Sequence, residues 1–249
     1  MKKSVALTLI ILFLSMPLFD GCMRFAFKWT PSLFPNLTAS FFEECDADLA
    51  ERSIPSSLKL LEGLLKGDPH NRAILTALSM GFCGYSMLFV EDESPQRASG
   101  LYSRARDYGI RALGLPRSLF EPPDSGNMGP ILKDLGKDDL GALLWTTVSW
   151  NAWIHLNLDR PAALAQFPAA RACLERVLEI DANYQYGLPY VLMGTSLSVL
   201  PPMLGGEPDK AKEYFEKALR AGHRKYFLTQ YSFARYYACL LYTSPSPRD

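Results

Sequence analysis

From about Leu37 onward the apolar residues recur at intervals of three and four, and no alternation by two is sustained. That spacing lays an apolar stripe along a helix and cannot supply the two faces of a strand, so the chain reads as all-α. Four stretches sharpen the reading. Ser57, Leu61, Leu64, Leu65 and Pro69 form the first, and Ala105, Gly109, Ala112, Leu113 and Arg117 the second. Ala170, Leu174, Val177, Leu178 and Ala182 form the third, and Ala211, Phe215, Ala218, Leu219 and His223 the fourth. Their offsets are those of tetratricopeptide repeats, in which small residues let one helix of a hairpin approach its partner and a larger apolar residue fills the space between them. The stretches start 48, 65 and 41 positions apart, where a regular array would repeat at about 34. The expected architecture is a set of irregular tetratricopeptide-like hairpins stacked as a short solenoid.

Longer apolar helices are expected at about 71–90, 137–157, 184–199 and 225–240, each as the first member of a pair. Turn chemistry separates them: Gly67-Asp68-Pro69, Ser94-Pro95, Pro201-Pro202 and Gly205-Gly206-Glu207-Pro208. Residues 115–136 are the longest irregular stretch and are expected to form a rim or contact element.

The two ends read differently from this domain, which is expected over 37–239. Lys2 and Lys3 precede an apolar run of about 15 residues, too short to cross a bilayer as a helix and typical of an export signal over 1–21. It stops at Asp20-Gly21-Cys22, where a small residue before cysteine fits lipoprotein processing, although Phe19 and Asp20 are unusual in such a site. A lipidated Cys22 followed by a tether over 22–36 is the expectation, with cleavage of an ordinary export signal as the alternative. Two or three acyl chains would hold the protein at a membrane face. Met23 in place of an inner-membrane-retaining Asp points to the outer membrane, facing the periplasm. Residues 240–249 resemble translated cloning sequence, with a native disordered end as the alternative, and the helical domain is expected to continue beyond them in the natural protein.

Charge and chemistry exclude several classes. Lys and Arg total 26 against 26 Asp and Glu, leaving no positive excess for nucleic acid. The five cysteines are widely spaced, and His70, His155 and His223 have no partners at metal-ligand spacing. His155 reads as an ordinary helix-face residue. Glu43-Glu44, Glu91-Asp92-Glu93 and Asp138-Asp139 read as solvated charges at helix ends. No nucleophile elbow, phosphate loop or zinc-protease motif occurs, so neither an enzyme nor a cofactor is expected.

The aromatic residues carry the remaining signal. Trp145, Trp150 and Trp153 share one helix with Asn151, and Tyr186 and Tyr190 sit on the next long one. The three tryptophans cannot all face one way, so some must be core. Two readings stay open for each: hairpin packing, or the wall of a groove or pore that receives an apolar ligand. The candidate ligand-binding or pore-lining set is Trp145, Trp150, Asn151, Trp153, Tyr186 and Tyr190.

Several strings together resemble the T-component (TatT) family of tripartite ATP-independent periplasmic (TRAP) transporters over roughly residues 45–238. They are residues 54–65 (IPSSLKLLEGLL), residues 102–113 (YSRARDYGIRAL), Trp145 with residues 150–154 (WNAWI), and residues 200–211 (LPPMLGGEPDKA) leading into residues 215–219 (FEKAL). The resemblance implies a non-enzymatic periplasmic lipoprotein that associates with the solute-binding protein of a TRAP system. It also implies a homotrimer with a pore or cavity in each protomer, and a role with small organic or hydrophobic ligands. The alternative is a general tetratricopeptide scaffold lipoprotein of the cell envelope.

If Cys22 carries the anchor, Cys22→Ser moves the protein from the membrane to the soluble fraction on cell fractionation. Unchanged membrane association of that variant would rule the anchor out.

Overall fold

The computed structural model describes residues 43–120, 128–202 and 205–239, together with residues 36 and 39–41. The expected export signal, lipidated cysteine and tail lie outside the described residues, as does the middle of the irregular stretch at 121–127. The described residues contain helices and no strand. The helices are α1 (Ala47–Gly67), α2 (Arg72–Tyr85), α3 (Pro95–Leu113), α4 (Met128–Asp134), α5 (Leu140–His155), α6 (Pro161–Leu164), α7 (Phe167–Asp181), α8 (Tyr184–Val199), α9 (Pro208–Ala221) and α10 (Phe227–Phe233). Helix α2 runs on through a π-helical turn, Ser86–Val90, and α10 through another, Ala234–Ala238.

Local chemistry sets the helix starts. Asp46 and Asn71 accept hydrogen bonds from the amides of Leu49 and Ile74 at 3.1 Å, satisfying N–H groups that the first turn leaves unpaired. Pro95, Pro161 and Pro208 open α3, α6 and α9, where a missing N–H costs no hydrogen bond. All four small-residue stretches except their last, turn-forming residues lie on helices, namely α1, α3, α7 and α9. The closest pairings are α2 with α3, α3 with α5, and α8 with α9. The expected irregular stretch contributes a short 3-10 turn, Arg117–Phe120, and α4.

Helix α5 lies at the centre, packed against α2, α3, α7 and α8. Leu143, Leu144, Val148 and Trp150 are buried, and so are Thr146, Thr147 and Ser149. A buried hydroxyl without a partner would cost a few kcal/mol. Here each hydroxyl donates to the carbonyl four residues back in its own helix, Thr146 to Ala142, Thr147 to Leu143 and Ser149 to Trp145, all at 2.7 Å. The helix can therefore be covered on every side.

A second network ties α3 and α7 to it. Buried Arg106 donates to Gln166 Oε1 at 3.1 Å, and the same oxygen accepts from Trp150 Nε1 at 2.9 Å. The Arg106 guanidinium also lies 5.3 Å from the Trp153 ring centre. At the surface Glu62 of α1 accepts from Lys59, Arg104 and Tyr108, joining α1 to α3. A smaller cluster of Leu174, Met193, Leu197 and Ala211 binds α7, α8 and α9.

Helix α8 begins abnormally. Gln185, Tyr186 and Gly187 have φ of 46°, 61° and 83°, a left-handed turn that costs the two non-glycine residues about 1–2 kcal/mol each. Gly187 is required there, because a Cβ would stand 2.7 Å from the Ala221 side chain. Pro189 falls in the first turn of the regular helix beyond it, so the expected helix at 184–199 in effect starts at Leu188.

The α3–α5 crossing is tightest at Gly109, where a Cβ would lie 2.0 Å from Thr146 Oγ1 and 2.9 Å from Ser79 Oγ. For Gly109→Ala, overpacking of about 1–3 kcal/mol opposes a gain in helix propensity of about 1 kcal/mol. The oxygen in the way belongs to a β-branched residue already bonded to its own helix, so packing dominates. The urea midpoint is expected to fall with helical circular dichroism retained; a rise would mean that the helices separate easily at this crossing.

Candidate functional site

Helix α8 turns Leu188, Val191, Leu192, Thr195, Ser196 and Val199 toward one side, at steps of three and four. Helix α5 answers with Val148, Asn151, Ala152 and His155, also on one face. Between them lies a cavity of about 130 Å³, floored by Leu158 and Phe167 and bounded by Met87 and Leu228. A single water requires about 10–15 Å³ by the same measure, so the space suits something larger. Mostly apolar walls with a few polar groups are the usual build of a small-molecule site.

Six of the polar groups on the wall gather in one cluster: Glu91, Tyr102, His155, Tyr231, Arg235 and Tyr236. Both π-helical turns feed it. In the first, the Glu91 amide reaches back five residues to the Ser86 carbonyl at 2.8 Å, which sets the direction of the Glu91 side chain; the second contains Arg235 and Tyr236. A π turn inserts one residue into the helical repeat and so re-aims the side chains beyond it, and such turns are frequent at functional sites. Tyr102 donates to Glu91 Oε2 at 2.5 Å. Arg235 spans back to Asp92, Nη2 to Oδ1 at 2.9 Å and Nη1 to Oδ2 at 3.4 Å, and also donates to the Tyr231 hydroxyl. Its guanidinium lies 5.7 Å and 5.5 Å from the ring centres of Tyr231 and Tyr236. The His155 ring meets Tyr236 edge-on at 6.1 Å.

Burial sets the protonation states of this cluster. It pushes the His155 imidazole below its ordinary value of 6.5, against the pull of Glu91 and with help from the Arg235 charge. It raises the Tyr102 and Tyr236 hydroxyls, with the Glu91 charge adding to both. At neutral pH the His155 imidazole is therefore neutral and the Tyr102 and Tyr236 hydroxyls keep their protons. Cys83, beneath Tyr102, is fully buried and its thiol is pushed up to about 12, which leaves it unreactive. Among the described residues no group of three or more His, Cys, Asp or Glu could hold a metal ion.

Of the six residues singled out from sequence, Asn151 stands on the cavity wall, its amide donating to the Thr147 carbonyl at 2.9 Å. The other five are not among the lining residues. Trp150 is 0% exposed and its Nε1 is committed to Gln166; Trp145 is core; Trp153 packs against Arg106. Tyr190 faces Tyr214 at 6.3 Å, and Tyr186, 66% exposed, faces Tyr226 at 5.3 Å. Trp150 and Trp153 leave the cavity because they turn toward Arg106 of α3 and, for Trp150, Gln166 at the start of α7. Two residues outside the candidate set also stand on the wall. Asp92 and Glu93 are exposed, as expected of that acidic run, but Glu91 lines the cavity. His155 is a wall residue, and its step of four from Asn151 was the available signal.

The expected helix at 225–240 is present as α10 running on through the π turn Ala234–Ala238. Of its aromatics, Phe227 and Tyr231 are exposed, whereas Phe233 stacks on Phe215 at 5.1 Å and Tyr236 joins the cluster.

The chain belongs to the TRAP transporter T-component family, which it matches over residues 43–244. It is also similar to a protein of Treponema pallidum (strain Nichols), described only as an uncharacterized protein, with 27% identity over 204 residues. That alignment takes in 74% of this chain and 63% of the relative, so the chain spans less than two thirds of the relative's length.

The depressed His155 value fixes the sign of a pH effect. The unfolded chain takes up the proton near 6.5 while the folded one resists, so stability falls as pH drops from neutrality through 6.5 and levels off below the folded-state value. The Glu62 carboxyl acts in a separate window: burial pushes it up, but bonds from Lys59 and Tyr108 and the Arg104 charge hold it below 4.5, so its contribution is lost only as pH falls below that. Thermal melts between neutral and mildly acidic pH are expected to show the first slope in the wild type and a weaker one in His155→Gln. Equal slopes would remove His155 as its source.

Proposed function

We propose that this protein is a non-catalytic accessory subunit of a TRAP-type solute uptake system, located in the cell envelope, that admits a small apolar ligand to the cavity between α5, α8 and α10. The observation that carries this reading is the pairing of two apolar helix faces across an open space with a cluster of polar groups at one end. Membership of the T-component family supports the transport context. In this reading the lipid on Cys22 holds the domain at the periplasmic face of the outer membrane. The domain works beside the solute-binding protein of the same system, as a homotrimer. The ligand-contacting residues are Asn151 with Val148, Leu188, Val191, Leu192 and Thr195, while the tryptophans of α5 hold the wall in place from behind.

The test uses a neutral fluorescent probe, N-phenyl-1-naphthylamine, whose emission rises on leaving water. The wild type is expected to bind it saturably, and Thr195→Trp, which puts an indole into the cavity, to weaken binding by about tenfold or more while the melting temperature stays close to wild type. No saturable binding by the wild type, or undiminished binding by the variant, would end the cavity reading. For the partner, purification from solubilised membranes is expected to bring down a TRAP solute-binding protein in stoichiometric amount.

A further inference from the structure

The polar end of the cavity is not neutral in its preferences. Glu91 is half-buried and accepts one side-chain hydrogen bond, from Tyr102, where a carboxylate can accept about four. Among the described residues no cationic side chain stands within ion-pair distance of it. A carboxylate drawn partly out of water with so few donors gains strongly from any donor or positive charge brought to it. Arg235, the cation on the described wall, points its charge elsewhere: its fork is on Asp92, and its plane covers the rings of Tyr231 and Tyr236. An anionic ligand would have to strip Arg235 from Asp92 and then sit beside Glu91. The neutral His155 supplies no compensating charge. A cation meets the Glu91 carboxylate, and the Arg235 charge on the same wall is already paired with Asp92.

We infer that, granted the cavity reading above, the ligand is a cationic amphiphile: an apolar chain lying between α5 and α8 that ends in an ammonium group hydrogen-bonded to Glu91.

Three probes with one chain and different heads separate the possibilities: decylammonium, decanol and decanoate, each titrated by calorimetry at neutral pH below its aggregation concentration. A charge-assisted bond to Glu91 corresponds to about a tenfold gain or more, so decylammonium is expected to bind at least that much more tightly than decanol, and decanoate more weakly than decanol. Glu91→Gln keeps the shape and removes the charge. It is expected to remove most of the preference of decylammonium over decanol, and an unchanged melting temperature certifies the fold. Equal binding of the three heads, tighter binding of decanoate, or an undiminished preference in Glu91→Gln would overturn the head-group assignment and leave the cavity reading standing. Failure of all three, decanol included, would overturn both.

Discussion

The structure depends on a helix that has no outside. Helix α5 is covered by α2, α3, α7 and α8, and that is possible only because its polar side chains make no demand on their surroundings. Thr146, Thr147, Ser149 and Asn151 each bond to the carbonyl one turn back. Hydroxyls satisfied in this way behave toward neighbouring helices as small, nearly apolar knobs. Their small size is what lets α3 close on α5 at Gly109. Further along α5, Trp150 and Trp153 meet Arg106 of the same α3, and Gln166 ties Arg106 to Trp150.

The cavity arises from the same division. Where α5 faces α8 it offers Val148, Asn151, Ala152 and His155, which are too small together to fill the gap, and α8 offers medium aliphatic and hydroxyl residues in return. Complete filling would need an aromatic on one of these two faces, and the aromatics of both helices point away from it. The polar end has another origin. It is assembled where two helices each lose their regular repeat in a π turn, and the Arg235–Asp92 ion pair joins those two places across 143 residues of sequence. With the Asp92 side chain 70% exposed, that pair contributes little to stability. Its consequence is geometric, since it holds the guanidinium off Glu91.

Legibility in the sequence tracked the locality of the physics. Helix positions were readable to within a few residues, because the three-and-four spacing, the capping residues Asp46 and Asn71 and the opening prolines act inside single turns. The π turns and the left-handed start of α8 were not, since each depends on what packs against it: Tyr186 and Gly187 hold positive φ because the end of α9 and the turn after it press there. Of the six candidate site residues, Asn151 lines the cavity. Large aromatics attract attention as ligand contacts, but a tryptophan in the middle of a central helix has more apolar area to bury than any other residue and goes where burial is most complete. Glu91 was hidden inside an acidic run whose other members are solvated.

The amino-acid sequence by itself determined an all-α chain, the order of its helices and membership of its family, because those rest on periodicity and on strings of residues that are local. Tertiary structure alone decided which faces of α5 and α8 line the cavity. Both helices are apolar nearly all round, so no amphipathic direction along either one marks an inside from an outside, and only the arrangement of their neighbours breaks that symmetry. Tertiary structure also decided that Glu91, one carboxylate of several, stands in the wall of a cavity while the cation nearest in function is held to Asp92. Charge is written in the sequence, but whether water still screens it is settled by what the fold brings around it.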